Sequence, residues 1–147
     1  MSETSDLIKL YSGRILALAA EIPHLGRLEA PQASVRKRSP LCGSTVTVDL
    51  DMAEGRVSRF AQEVKACALG QAAASVLGSA VIGRSADELE GSAAQLEAML
   101  KTGGPVPDAP FDGFEALLPA REFRNRHNSI LLAAQAAAEA ARQAEAR

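Results

Sequence analysis

Two thiols, Cys42 and Cys67, are the residues of this chain best equipped to bind a soft metal or to act as nucleophiles. Cys42 stands in Pro40-Leu41-Cys42-Gly43-Ser44, directly before an alternating segment, and Gly43 leaves room for a tight backbone and for a ligand to come close. Cys67 falls between the end of an extended run and the start of a helical one. The unpaired N–H groups and positive dipole end of a helix favour an anion there, and the thiolate is the form that binds metals and accepts sulfur. Two loop thiols at the same end of a hairpin can converge. Spacing does not require it, because nothing in the chain resembles Cys-x-x-Cys, and free cysteine is also a common buried hydrophobe.

The remaining polar candidates are fewer. His127 can offer an imidazole nitrogen to iron or zinc, although its neighbours Arg124 and Arg126 also suit a simple hydrogen-bonded residue. His24 follows Pro23 in a bend and is read as structural. Cysteine-nucleophile hydrolysis finds no support, since the two thiols have only these two histidines as bases. Glu88, Glu90 and Glu97 read as a solvated helix face, and Gly103-Gly104 lacks the Gly-Lys-Ser/Thr ending of a phosphate loop.

The elements that must position these residues are legible from periodicity. Leu7, Ile8, Tyr11, Ile15 and Leu18 predict an amphipathic helix between Asp6 and Ala20, broken by Pro23, Gly26 and Pro31. Thr45 to Leu50 alternates strictly, with Val46, Val48 and Leu50 on one face and Thr45, Thr47 and Asp49 on the other. Turn chemistry from Asp51 to Gly55 leads into an extended run from Arg56 to Lys65 whose uneven period suggests a bulge, so a β-hairpin is expected. Ala72, Ala73, Val76, Leu77, Ala80 and Val81 form a helical stripe stopped by Gly83. Ser85-Ala86-Asp87-Glu88 fits a capping box opening a helix whose buried face is Leu89, Ala93, Leu96 and Leu100. Thr102 to Pro110 reads as an exposed loop, Phe111 to Leu118 as a short helix ended by Pro119, and Ile130 to Ala144 as a long closing helix.

Composition limits the classes of function. At 147 residues one domain over residues 1–147 is the default, large enough to fold without staples. The net charge of -2 offers no uniform field for nucleic acid or an anionic membrane, and the Arg36-Lys37-Arg38 run is shorter than a nucleic-acid patch. No apolar stretch is long enough to span a membrane, and the first six residues are polar and acidic, so a cytoplasmic protein with reduced thiols is expected.

Across Leu10 to Ala140 the chain resembles the NifU/IscU-like iron-sulfur cluster scaffold family. Leu10-Tyr11-Ser12 and the turn from Pro23 to Gly26 are similar to its first helix and bend, and Pro40-Leu41-Cys42-Gly43-Ser44 resembles its Asn-Pro-x-Cys-Gly-Asp motif. Gly55-Arg56-Val57 through Ala66-Cys67, with Ala72 to Ser75, resembles its strand, Gly-Cys motif and small-residue helix start. Gly83-Arg84-Ser85 is similar to its Lys-Gly-Lys-Ser/Thr link, and Pro119-Ala120-Arg121 to Leu132 resembles the segment holding its third cysteine.

The resemblance implies an α+β fold: a small antiparallel sheet of about three strands, the third near Ser34 to Arg38, packed on one side by four to five helices. It implies a non-enzymatic scaffold or carrier that takes sulfur from a cysteine desulfurase, gathers iron, holds a transient [2Fe-2S] cluster and passes it to cluster-accepting proteins. Cys42 and Cys67 then occupy the first two cysteine positions and Ser44 the aspartate position. The third cysteine position falls at Asn128 or Ser129, with Ser129 preferred because Arg126 and Leu132 flank it at the family's spacing. Hydroxyls are poor ligands for a soft metal and cannot form a persulfide, so one chain is short of ligands, and a homodimer sharing four thiolates would supply them. A zinc ion on Cys42, Cys67 and His127, or an interaction module that keeps the fold without the cluster, are the alternatives that remain open.

Overall fold

The computed structural model describes residues 11–41 and 43–146. Its sheet is a three-stranded antiparallel meander, β1 (Ala33–Arg38), β2 (Thr45–Ala53) and β3 (Arg56–Lys65), in that spatial order. The β2–β3 hairpin closes through Glu54 and Gly55, both at positive φ (53° and 76°), the two-residue turn whose twist suits flanking strands. Past the turn the register moves from Met52↔Val57 to Asp51↔Arg59. Ser58 is the extra residue, and this bulge accounts for the uneven period of the strand.

Val46, Val48 and Leu50 of β2 and Val35 of β1 are buried toward the helices, as their alternation demands. Asp49, on the opposite face, is buried as well. Its side chain is fully covered, bound by Arg27 Nε at 2.6 Å, Ser34 Oγ at 2.6 Å and the Leu28 N–H at 3.1 Å. Burial alone would raise its pKa, but the hydrogen bonds from Arg27, Ser34 and Leu28, with the Arg27 charge, outweigh it and hold the carboxyl below its ordinary value. This clamp fixes the bend after the first helix onto the outer sheet face. The same bend closes the far edge of β3, where His24 O accepts from Gln62 N and Gln62 O accepts from Gly26 N, both at 2.9 Å. The His24 ring meets Phe60 edge-on at 5.9 Å.

The helices are α1 (Gly13–Ala20), α2 (Ala68–Ala80), α3 (Ala86–Lys101) and α4 (Arg124–Glu145), with a 3₁₀ segment over Asp112–Glu122. Leu7 and Ile8 of the predicted first helix lie outside the described residues. Ser12 caps α1 by accepting from Ile15 N, so the described helix is shorter than the expected span. The capping box at α3 forms: Glu88 N donates to Ser85 Oγ and Ser85 N to Glu88 Oε1, each at 3.1 Å. Pro119 does not end the segment after Phe111. A proline removes only its own N–H, and the 3₁₀ winding passes over it to Glu122. The closing helix begins earlier than expected, at Arg124, and its alanine face, from Ala133 to Ala144, lets it lie close to the sheet and to α2 and α3. Among the described residues, no helix is long and apolar enough to cross a membrane.

Candidate functional site

Cys67 is the N-cap of α2, in extended backbone conformation, and its side chain caps no helical N–H. Its Sγ instead lies 3.5 Å from Ser129 Oγ on the first part of α4. Ser129 is 1 % exposed, and its hydroxyl donates to Ser44 Oγ at 3.0 Å; Ser44 is itself buried. Three side chains from distant parts of the chain therefore meet: one thiol and two hydroxyls. They join the start of β2, the start of α2 and the first turns of α4.

Local sequence explains each placement. Ser39 N donates to Ser44 O at 2.8 Å and Gly43 N to Ser39 O at 3.0 Å, which ties the loop between β1 and β2 into a turn. Gly43 sits at φ +71°, a conformation side-chain-bearing residues rarely adopt. Cys42, the residue before Gly43 in the chain, lies outside the described residues. Across the site, α2 and α4 approach at Gly70. A Cβ there would stand 2.8 Å from Ser129 Oγ and 2.8 Å from Ala66 Cβ, so the absence of a side chain is what admits the Ser129 hydroxyl beside Cys67. Gly70 was not singled out in the sequence, although a glycine within a helical pattern signals close packing.

The other candidates separate. Asn128 is half-exposed and lines a surface groove, whereas its neighbour Ser129 faces Cys67. His127 is buried, and its Nε2 lies 3.0 Å from Ala120 O and 3.2 Å from Arg121 O. Both neighbours are acceptors, so this nitrogen carries the proton and its lone pair is not offered to a metal in this arrangement. Among the described residues no group of three or more histidine, cysteine, aspartate or glutamate side chains could hold a metal ion. The described donor set is thus one soft sulfur and two hard oxygens, a poor match by itself for iron or zinc.

A nitrogen-fixing NifU-like protein (N-terminal) from Brucella abortus superposes with a TM-score of 0.93 at 44% identity, covering 97% of this chain and 99% of that one. A putative iron-sulfur cluster assembly scaffold protein for the SUF system from Fervidobacterium islandicum AW-1 shares the fold, with a TM-score of 0.79 at 19% identity over 90% of this chain and 96% of that one. A hypothetical protein of solved structure matches at 25% identity and a TM-score of 0.76, over 90% of this chain and 97% of its own. No family model and no curated protein matches the chain.

Proposed function

Because the chain belongs to the NifU-like N-terminal domain family, we propose that it is an iron-sulfur cluster scaffold or carrier of one domain, acting by coordination and transfer and not by turnover of a small substrate. The observation that carries this reading is the meeting of Cys67, Ser129 and Ser44, with Ser44 two positions after Cys42 in the chain. Under it, Cys42 and Cys67 hold the cargo, Ser44 and Ser129 line the seat, and His127 braces the start of α4 through its bonds to Ala120 and Arg121. Sulfur arrives from a cysteine desulfurase on Cys42 or Cys67, since a hydroxyl cannot carry a persulfide. Cluster-accepting proteins take the cargo on. The protein works in the cytoplasm in this account.

Iron-sulfur clusters usually have four thiolate ligands, and this chain has two cysteines. Two copies supplying two thiolates each would bind one [2Fe-2S] cluster between them. Anaerobic reconstitution followed by sizing is expected to give one cluster per dimer, and a cluster-free monomer at every iron-to-sulfide ratio would reject this arrangement. One observation favours a second reading: the Ser129 to Ser44 bond satisfies both positions without metal, as an interaction module that no longer builds clusters would require. Changing both cysteines to serine separates the two, because a carrier loses iron and sulfide while a module keeps its partner.

A further inference from the structure

The two edges of the sheet are treated differently. The outer edge of β3 is covered by residues 24–26, whereas, among the described residues, β1 pairs only with β2. Ser39 N donates to Ser44 O, so the pairs two residues apart along the ladder, Lys37↔Val46, Val35↔Val48 and Ala33↔Leu50, are the hydrogen-bonded ones. The backbone N–H and C=O groups of Ser34, Arg36 and Arg38 therefore point away from β2. Beside this edge runs a groove of about 450 Å³, lined by Arg36, Lys37, Arg38, Pro40, Asn128 and Leu132. Lys37 is neutralised by Glu139 of α4 at 2.9 Å. Arg36 and Arg38 are exposed on the opposite, outer face and have no ion pair among the described residues.

We propose that the β1 edge is a docking site for an extended acidic segment of a partner protein, which adds to the sheet as a fourth strand. Main-chain groups of the segment would pair with those of Ser34, Arg36 and Arg38. Alternate residues of an added strand face opposite sides. Acidic side chains on one side meet Arg36 and Arg38, and small polar ones on the other face Asn128 and Gln135 in the groove. The occupant is thus a strand in which acidic and small polar residues alternate. A second copy of this chain is disfavoured, because pairing β1 with itself would bring two sets of unpaired arginines together. Asn128 lines the groove and is the chain neighbour of Ser129, which touches Cys67, so a docked segment would tether its owner close to that thiol. The surface acts in this way whether or not the chain carries a cluster.

The test uses metal-free full-length protein and a fluorescein-labelled hexapeptide of alternating aspartate and threonine, followed by fluorescence anisotropy. Binding should weaken with salt and fall about tenfold or more when Arg36→Glu and Arg38→Glu are combined. Arg36→Pro removes an outward N–H together with the Arg36 charge, so it should bind well below Arg36→Ala, which removes the charge alone, while leaving the thermal unfolding midpoint close to that of the wild type. No binding by the wild type would overturn the proposal. So would equal binding of a peptide with its acids grouped at one end, which indicates charge alone. Dimerisation of the metal-free protein that Arg36→Pro abolishes would assign the edge to a second copy and would overturn it as well.

Discussion

Ser129 and Ser44, 85 positions apart in the chain, are joined by a 3.0 Å bond between their hydroxyls, and the Ser129 oxygen also lies 3.5 Å from the Cys67 sulfur. This contact brings the thiol at the head of α2 to the turn that ends at Ser44. It also defines what the site lacks, since both oxygens stand where the family resemblance expects stronger ligands.

If Ser129 occupies the third thiol position, Ser129→Cys supplies the missing sulfur. The variant, reconstituted anaerobically, should bind more iron and acid-labile sulfide per chain than the wild type. Parallel iron and sulfide assays check this, and an unchanged content would show that position 129 is not a ligand position.

Gly70→Ala tests the packing that seats Ser129. The added methyl meets two atoms at 2.8 Å, and overpacking of this kind typically costs about 1–3 kcal/mol. Alanine's helix propensity returns at most about 1 kcal/mol. Net destabilisation is expected in urea unfolding, and a stabilised variant would show that α2 and α4 have slack there.

His127→Phe removes the donor that faces Ala120 O and Arg121 O and leaves those carbonyls poorly satisfied. A loss of about 1–3 kcal/mol is expected in denaturant unfolding. Iron and sulfide content should not change, and loss of metal from a folded variant would return the histidine to the ligand set.

Asp49 makes stability depend on pH in a definite direction. Its carboxyl titrates lower in the folded protein than when unfolded, so its contribution is present above the ordinary aspartate range and is lost as the pH falls through the folded value. Asp49→Asn should cost about 2 kcal/mol near neutrality, the scale of hydrogen bonds to a buried charge. The gap between variant and wild type should narrow below about pH 4. Urea midpoints at several pH values measure it, and a gap that stays constant would contradict the clamp.

The hairpin, the capping box and the alternating strand were readable because their causes are local. Glu88 lies three residues from Ser85, and Val46, Val48 and Leu50 repeat every second position. Alternation puts Asp49 on the face opposite Val46, Val48 and Leu50 but cannot report its cover, because Arg27 comes from a bend 22 positions earlier. Pro119 misled because breaking an α-helix is not the same as interrupting a 3₁₀ one. Neither the seat of Ser129 against Gly70 nor the unpaired edge of β1 could be read, since both depend on which elements end up side by side.

The most direct measurement is iron and acid-labile sulfide in the anaerobically purified wild type beside Cys67→Ser. The account predicts both elements in near-equal amounts in the wild type and neither in the variant, with the variant still folded. Equal cluster content in the two proteins, or none in the wild type after reconstitution, would contradict it.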